Sequence, residues 1–151
     1  MSLIVRRASP ADAAVVCEFN RLLALESESK TLDLALLEPG VRQALADDHK
    51  GRYFLAALDD RIVGQLGITY EWSDWRNGWF WWIQSVYVRP EARRRGVFRA
   101  LFRHVFDGAK ADPQVIGIRL YVEKENQAAH RTYESLGLDL TTYEVMERYP
   151  L

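Results

Sequence analysis

A chain of 151 residues, 48% hydrophobic and 27% charged, has the composition of an ordinary globular domain and can bury roughly two-thirds of its unfolded surface. This excludes a disordered or fibrous polypeptide, and the one cysteine excludes an internal disulfide framework. The 20 basic and 21 acidic residues leave a net charge of −1, which argues against a nucleic-acid partner that needs a basic face, although local charge is uneven.

No repeat, low-complexity tract or Pro/Gly/Ser linker interrupts the sequence, so one domain over 1–151 is expected. Its N-terminus lacks a basic-plus-apolar leader pattern, and no apolar run approaches the ~20 residues that span a bilayer. A cytoplasmic protein without a membrane partner is the expectation.

In chain order, 3–7 reads as a short strand. Ser9, Pro10 and Asp12 form a helix start, and Val15, Val16, Phe19, Leu22 and Leu23 recur at helical spacing to about Leu25. Cys17 sits within that apolar stretch and reads as a buried structural thiol. A second helix is expected over 32–47, broken or kinked near Pro39 and Gly40. The runs 53–58 and 62–70 around Asp59-Asp60 predict a hairpin. A tryptophan-bearing loop, 72–78, leads to a long apolar strand over 79–88, stopped by Pro90. A helix over 93–109 carries Phe98, Leu101, Phe102 and Val105 on one stripe. A strand over 115–122, a helix over 126–136 ended by Gly137, and a last strand over 142–148 complete the order. This alternation predicts an α/β domain: a mixed sheet with helices on both faces.

The first chemical signal is Val86-Tyr87-Val88-Arg89-Pro90 followed by Arg93-Arg94-Arg95-Gly96-Val97-Phe98-Arg99. A strand enters a basic helix start that carries a glycine. Unpaired N–H groups, the helix dipole and close backbone approach at Gly96 suit an anion. Alone, the segment reads equally as an anion site or as a solvated basic helix start. It is neither a Walker loop nor a dinucleotide fingerprint. His49, His104 and His130 lie far apart without acidic or thiol companions at ligand spacing, so no metal is expected. The second signal is Asn126, at a helix start just past a strand, with Tyr133 two turns on along the same side. Tyr133 by itself could also be packed core, the lesser of the two readings.

Together the two segments resemble the GNAT superfamily of acetyltransferases, most strongly over 82–97 and 120–137. Arg93, Gly96 and Phe98 occupy the three defined places of its Q/R-x-x-G-x-G/A phosphate motif. Asn126, Ala129, Tyr133 and Gly137 meet its N-x-x-A-x-x-x-Y-x-x-x-G pattern. The resemblance implies the GNAT fold, a twisted mixed sheet with a splayed strand pair, and acetyl-CoA as co-substrate. It implies that the turn amides over Arg94, Arg95, Gly96, Val97, Phe98 and Arg99 hold the pyrophosphate. Main-chain groups of the Val86-Tyr87-Val88 strand would pair with the pantetheine, and one strand amide would polarise the acetyl carbonyl. Asn126 is then expected on the pantetheine, and Tyr133 near the sulfur as general acid. Phe98 departs from the motif's small residue. Its place in the apolar stripe predicts a ring turned into the core, since an outward ring would crowd the pyrophosphate.

The region 70–137 looks similar to the spermidine/spermine acetyltransferase branch, but Gln84 stands where that branch carries a strand carboxylate. Other carboxylates are therefore candidates. Glu71, beside the catalytic strand in the hairpin, is the expected general base. Glu26, Glu28 and Asp74 are expected to join it in an acidic acceptor pocket walled by Trp72 and Trp75, which could hold a cationic amine through cation–π contact. The expected activity is N-acetylation of a small-molecule or peptide amine, by direct transfer in a ternary complex, in a homodimer. The alternative is a catalytically weak CoA-sensing or partner-binding module on the same fold. Phe98 and Gln84 favour that alternative, and Tyr133 opposes it.

Overall fold

Five strands form one sheet in the order β1-β2-β3-β4-β5: β1 Leu3–Arg7, β2 Arg52–Leu58, β3 Arg61–Ser73, β4 Gly78–Val88 and β5 Val115–Leu120. Neighbours pair antiparallel except β4 and β5, which run parallel, so the sheet is mixed. The computed structural model describes residues 2–151, in two compact units that divide after Leu120.

In the first unit, α1 (Ala13–Glu28) and α2 (Leu34–Ala46) precede β2, and α3 (Val97–Ala111) connects β4 to β5. The helices cover opposite faces of the sheet, as two adjacent β3 residues show. A Cβ built on Gly64 would meet side-chain atoms of Val97 and Leu101 on α3 at 3.0 and 3.4 Å. The next side chain, Gln65, bonds Asn20 on α1. Successive strand residues point to opposite faces, so α1 and α3 sandwich the sheet. β2 repeats the pattern. Phe54 lies against His104 of α3, whereas Leu55 joins Val16 of α1 and Val41 of α2 in one apolar cluster.

Local chemistry accounts for the element ends. The backbone N–H of Ser9 donates to Asp12 Oδ2 at 2.7 Å, fastening the turn before α1. That helix outruns the expected end near Leu25 and stops where Ser29 takes a left-handed φ of 52°. Glu26 therefore sits on the ordered last turn. Of the break or kink expected near Pro39, the break does not occur: α2 continues through the proline. Ala35, whose carbonyl loses its helical donor to that proline, is exposed, so water can serve it. Asp59 and Asp60, both at positive φ (49° and 67°), give the β2–β3 hairpin the left-handed turn that matches strand twist.

A further correction concerns α3, which starts at Val97 rather than Arg93. Pro90–Ala92 forms one 3-10 turn, Arg93 is extended, and Arg94 and Gly96 are left-handed. The arginine run is thus a turn that feeds the helix. Within α3, Val97, Leu101, Phe102, Val105 and Ala109 are buried, so the apolar stripe holds at Leu101, Phe102 and Val105 while Val97 takes the inward place expected of Phe98, which is half-buried.

The second unit, Tyr121–Leu151, contains α4 (Gln127–Ser135). Gly137, at φ 91°, closes it, with the Leu138 N–H returning to the Tyr133 carbonyl at 3.0 Å. The strand expected over 142–148 does not form, and Leu140, Tyr143, Val145 and Met146 are exposed. Alternation makes a segment able to be a strand, but backbone groups become one only against a partner ladder, and this unit holds no other strand. No helix among the described residues is long and apolar enough to cross a membrane.

Candidate functional site

β4 changes character halfway along. From Trp79 to Ile83 it is flanked on both sides, by β3 and by β5. Pairing with β5 ends at Ile83–Leu120, so among the described residues of this unit Gln84–Val88 has β3 as its one strand neighbour. In this stretch Gly67 pairs with Gln84 and Gln65 with Tyr87, which sets Ser85 and Val86 together against Leu66. That is a β-bulge, and Ser85 within it adopts φ 53°, a conformation L-residues rarely take. An edge that lacks a second strand and a bulge that re-aims its peptide groups can receive an extended, amide-bearing ligand.

Val86 and Val88 are half-buried, while the Tyr87 side chain is buried and its ring lies 5.3 Å from that of Phe19 on α1. The Tyr87 hydroxyl donates to Glu26 Oε1 at 3.3 Å, and burial followed by the Glu26 charge holds this phenol above its ordinary pKa. Tyr87 therefore tethers the strand to α1 with its side chain and can offer a ligand only its main chain.

The turn after β4 is built around its two left-handed residues. Arg93 Nε donates to the Val88 carbonyl at 3.0 Å, and Arg93 Nη2 pairs with Glu26 Oε2 at 2.6 Å. Arg94, Arg95 and Arg99 are exposed. Gly96 is the N-cap of α3 at φ 81°, and a Cβ built there meets no atom within 4 Å. The glycine answers to backbone conformation and to the open space outside it, not to crowding within the protein. The Phe98 ring, expected in the core, is only half-buried and lies 6.1 Å from that of Phe102, one turn along α3. The residues present thus fit a pyrophosphate, with helix-start amides, cations and no Cβ in the way. A groove of ≈ 480 Å³ beside Gly96 and Arg99 runs along α3 past Arg103 and His104 to Val5 of β1. It follows the flank away from the bulge, and shape alone gives it no chemistry.

In the second unit Asn126 caps α4, its Oδ1 accepting from the Ala129 N–H at 3.0 Å. Tyr133 lies two turns on, half-buried, and burial raises its phenol pKa. It is therefore protonated at neutral pH, the form an acid needs.

The expected acidic, aromatic-walled pocket does not assemble. Glu71 pairs with Phe80, five residues from Leu66 at the bulge, roughly 16 Å along a strand at about 3.3 Å per residue. Its carboxylate accepts from Trp82 Nε1 at 2.9 Å and from Arg119 Nη1 at 3.0 Å, and the Arg119 guanidinium stacks 3.7 Å from the Phe80 ring centre. Glu71 is thus a clamp across β3, β4 and β5, its carboxylate held by Trp82 and Arg119. Adjacency in the hairpin is not adjacency to the bulge. Trp72 pairs with Trp79 further out, and Asp74 and the exposed Trp75 sit at the hairpin tip, where Asp74 Oδ1 accepts from the Trp75 N–H. Glu28 points to solvent beside Lys30, 3.9 Å away. Of these acids only Glu26 reaches the Tyr87 strand and the arginine turn. Gln84 Nε2 donates to Thr69 Oγ1 at 3.3 Å, a cross-strand bond. Among the described residues, no group of three or more His, Cys, Asp and Glu side chains could hold a metal ion.

Sequence reasoning missed Asn20, Gln65 and Ser85. Gln65 is the one polar side chain in the run from Ile62 to Ile68, and a lone polar group in an apolar strand was the available signal.

The family model described as "Acetyltransferase (GNAT) family" matches residues 19–138. A mycothiol acetyltransferase of Mycolicibacterium gilvum (strain PYR-GCK) is 31% identical over 96 residues, 61% of this chain and 31% of that protein. The chain thus spans about a third of that relative's length. The crystal structure of a possible acetyltransferase from Clostridium difficile 630 superimposes with a TM-score of 0.93 at 44% identity, covering 100% of this chain and 99% of that one. A predicted acetyltransferase of Clostridium acetobutylicum, solved with acetyl-CoA, shares the fold at 18% identity, with a TM-score of 0.80 over 97% of this chain and 96% of its own.

Proposed function

Since this chain belongs to the acetyltransferase (GNAT) family, we propose that it transfers an acetyl group from acetyl-CoA to an amine by direct attack in a ternary complex. The observation that carries the reading is the half of β4 with a bulged, one-sided edge, running into a left-handed turn at Arg94 and Gly96. When bound, acetyl-CoA supplies a thioester whose carbonyl carbon is the acetyl donor. The main chain of Val86, Tyr87 and Val88 pairs with its pantetheine arm, and the amides from Arg94 to Arg99 receive the pyrophosphate. By the family pattern it matches, Asn126 of the second unit is a further candidate for binding the co-substrate. A bulge amide donates to the acetyl oxygen and stabilises the charge that develops there.

Glu26, held by the Tyr87 hydroxyl and Arg93 at the end of α1, takes the proton of the acceptor ammonium, directly or through water. Tyr133 returns a proton to the departing thiolate. No covalent enzyme intermediate is required, and the Cys17 thiol, raised in pKa chiefly by burial, is unsuited to provide one. The acceptor is a small-molecule or peptide amine. The test is release of CoA from acetyl-CoA across a panel of polyamines, aminoglycosides, amino-thiol sugars and peptide N-termini. Turnover with one amine class and none with matched alcohols is expected. CoA binding without turnover on any amine would replace this reading with a CoA-sensing module.

A further inference from the structure

Gln65 is completely buried, yet it carries an amide. Its Nε2 has two hydrogens and uses both, donating to Asn20 Oδ1 at 3.0 Å and to the Ser85 carbonyl at 3.0 Å. Its Oε1 is buried and has no hydrogen-bond partner. An orphaned oxygen is a cost that leucine of similar size would not carry, so packing alone is a poor account of this side chain. What the amide gains is a grip on Ser85, the bulge residue held at φ 53° without being glycine. The chain of contacts continues outward: Asn20 Nδ2 donates to the Tyr53 hydroxyl at 3.3 Å, so β2, α1, β3 and the bulge in β4 are linked through side chains. α1 holds the same stretch a second time through Glu26 and Tyr87.

We propose that Gln65, supported by Asn20, is a positioning residue that locks the Ser85–Val86 bulge in its left-handed conformation, and with it the amide that meets the acetyl oxygen. This rests on the acetyl-transfer reading. Gln65 touches no substrate. It acts by fixing the Ser85 carbonyl, and thereby the direction of the peptide groups that follow. A ligand-directed amide displaced by about an ångström loses on the order of 100-fold in rate, which sets the scale of the effect.

The test compares wild type with Gln65→Leu, Gln65→Glu and Asn20→Ala in the full chain. Three readouts are taken: thermal unfolding, hydrogen exchange of the Ser85–Tyr87 amides, and kcat against the dissociation constant for CoA. Gln65→Leu strips the donor from both Asn20 Oδ1 and the Ser85 carbonyl, so the melting temperature is expected to fall by about a few degrees, with CoA affinity left within about threefold. Exchange at the bulge should quicken, and kcat should fall about 10- to 100-fold. Gln65→Glu adds a signature that packing would not give. As a carboxylic acid it can still donate to the Ser85 carbonyl, whereas as a carboxylate it repels it, so kcat should be rescued at low pH and lost as pH rises. Asn20→Ala should quicken exchange less than Gln65→Leu. Should Gln65→Leu fail to fold, Gln65→Glu and Asn20→Ala still decide the matter. Unchanged bulge exchange with unchanged kcat, or a Gln65→Glu rate that follows the wild-type pH profile, overturns the positioning role. If wild type itself neither binds CoA nor releases it, the acetyl-transfer reading fails instead, and bulge exchange still reports whether Gln65 holds Ser85.

Discussion

A methyl group at Gly96 would meet no atom of the protein within 4 Å, while the backbone there sits at φ 81°. Gly96→Ala therefore has no steric penalty in the ligand-free chain, only the cost of a left-handed L-residue, about 1–2 kcal/mol. For a domain of this size 1 kcal/mol moves the melting temperature by roughly 2–4 °C, so a fall of about 2–8 °C is expected. The consequence for CoA is larger, because the open space that receives the methyl is the space a phosphate needs to approach the α3 amides. The dissociation constant should rise tenfold or more, a loss of at least about 1.4 kcal/mol. Calorimetric titration with CoA measures it, and acetyl-pantetheine, which lacks the pyrophosphate, separates the two effects. Wild type and Gly96→Ala should use that truncated donor almost equally, because the main chain of β4 is untouched. Equal CoA affinity in the two proteins, alongside the expected drop in melting temperature, would show that the pyrophosphate does not lie on this turn. A variant impaired equally with both donors would show that the methyl disturbs β4 itself.

Tyr133→Phe should leave CoA affinity nearly unchanged and lower kcat on the order of 100-fold. Because burial raises the phenol pKa, wild type should hold its rate to above about pH 10 before an alkaline limb, and the phenylalanine variant should lack that limb. Glu71→Gln should preserve the acidic limb of the pH–rate profile while costing about 0.5–1 kcal/mol by urea unfolding, as for a partly exposed ion pair. Glu26→Gln should displace that limb, and the reverse outcome for the two variants would return the base to Glu71. A homodimer, expected from the sequence, is tested in solution. Equilibrium sedimentation should find a dimer at micromolar concentration, and a monomer would refute this.

What could be read from the sequence was what neighbouring residues decide among themselves. The stripe of α3, the Asp59-Asp60 turn, the cap at Asn126 and the glycine at 96 are local solutions to local backbone problems, and each stands where its residues put it. The arginine run was misread as helix because helical propensity is weak beside the geometry a turn imposes. The terminal segment was misread as a strand because alternation reports a capacity to pair, not a partner. Glu71 stands five residues along β3 from the bulge, because hairpin adjacency says nothing about where along the hairpin the ladder breaks.

The break itself had no sequence mark. Bulges are commonly signalled by glycine, but here a serine occupies the left-handed position, and what makes that tolerable is a side chain 20 residues away in sequence, on the facing strand. A glycine at 85 would have supplied the same φ while leaving the peptide groups free to swing among conformations. Serine under restraint by Gln65 gives fewer alternatives, and fewer alternatives mean an amide whose direction is set before any ligand arrives. That preorganisation is where an electrostatic contact gains its strength, since no reorientation has to occur during the reaction. On this argument the buried glutamine, which costs the core an unmatched oxygen, is intelligible only together with the bulge. The two positions should then be coupled. In a double-mutant cycle, Ser85→Gly should lose most of its effect once Gln65 is leucine, because the restraint it relaxes has already gone.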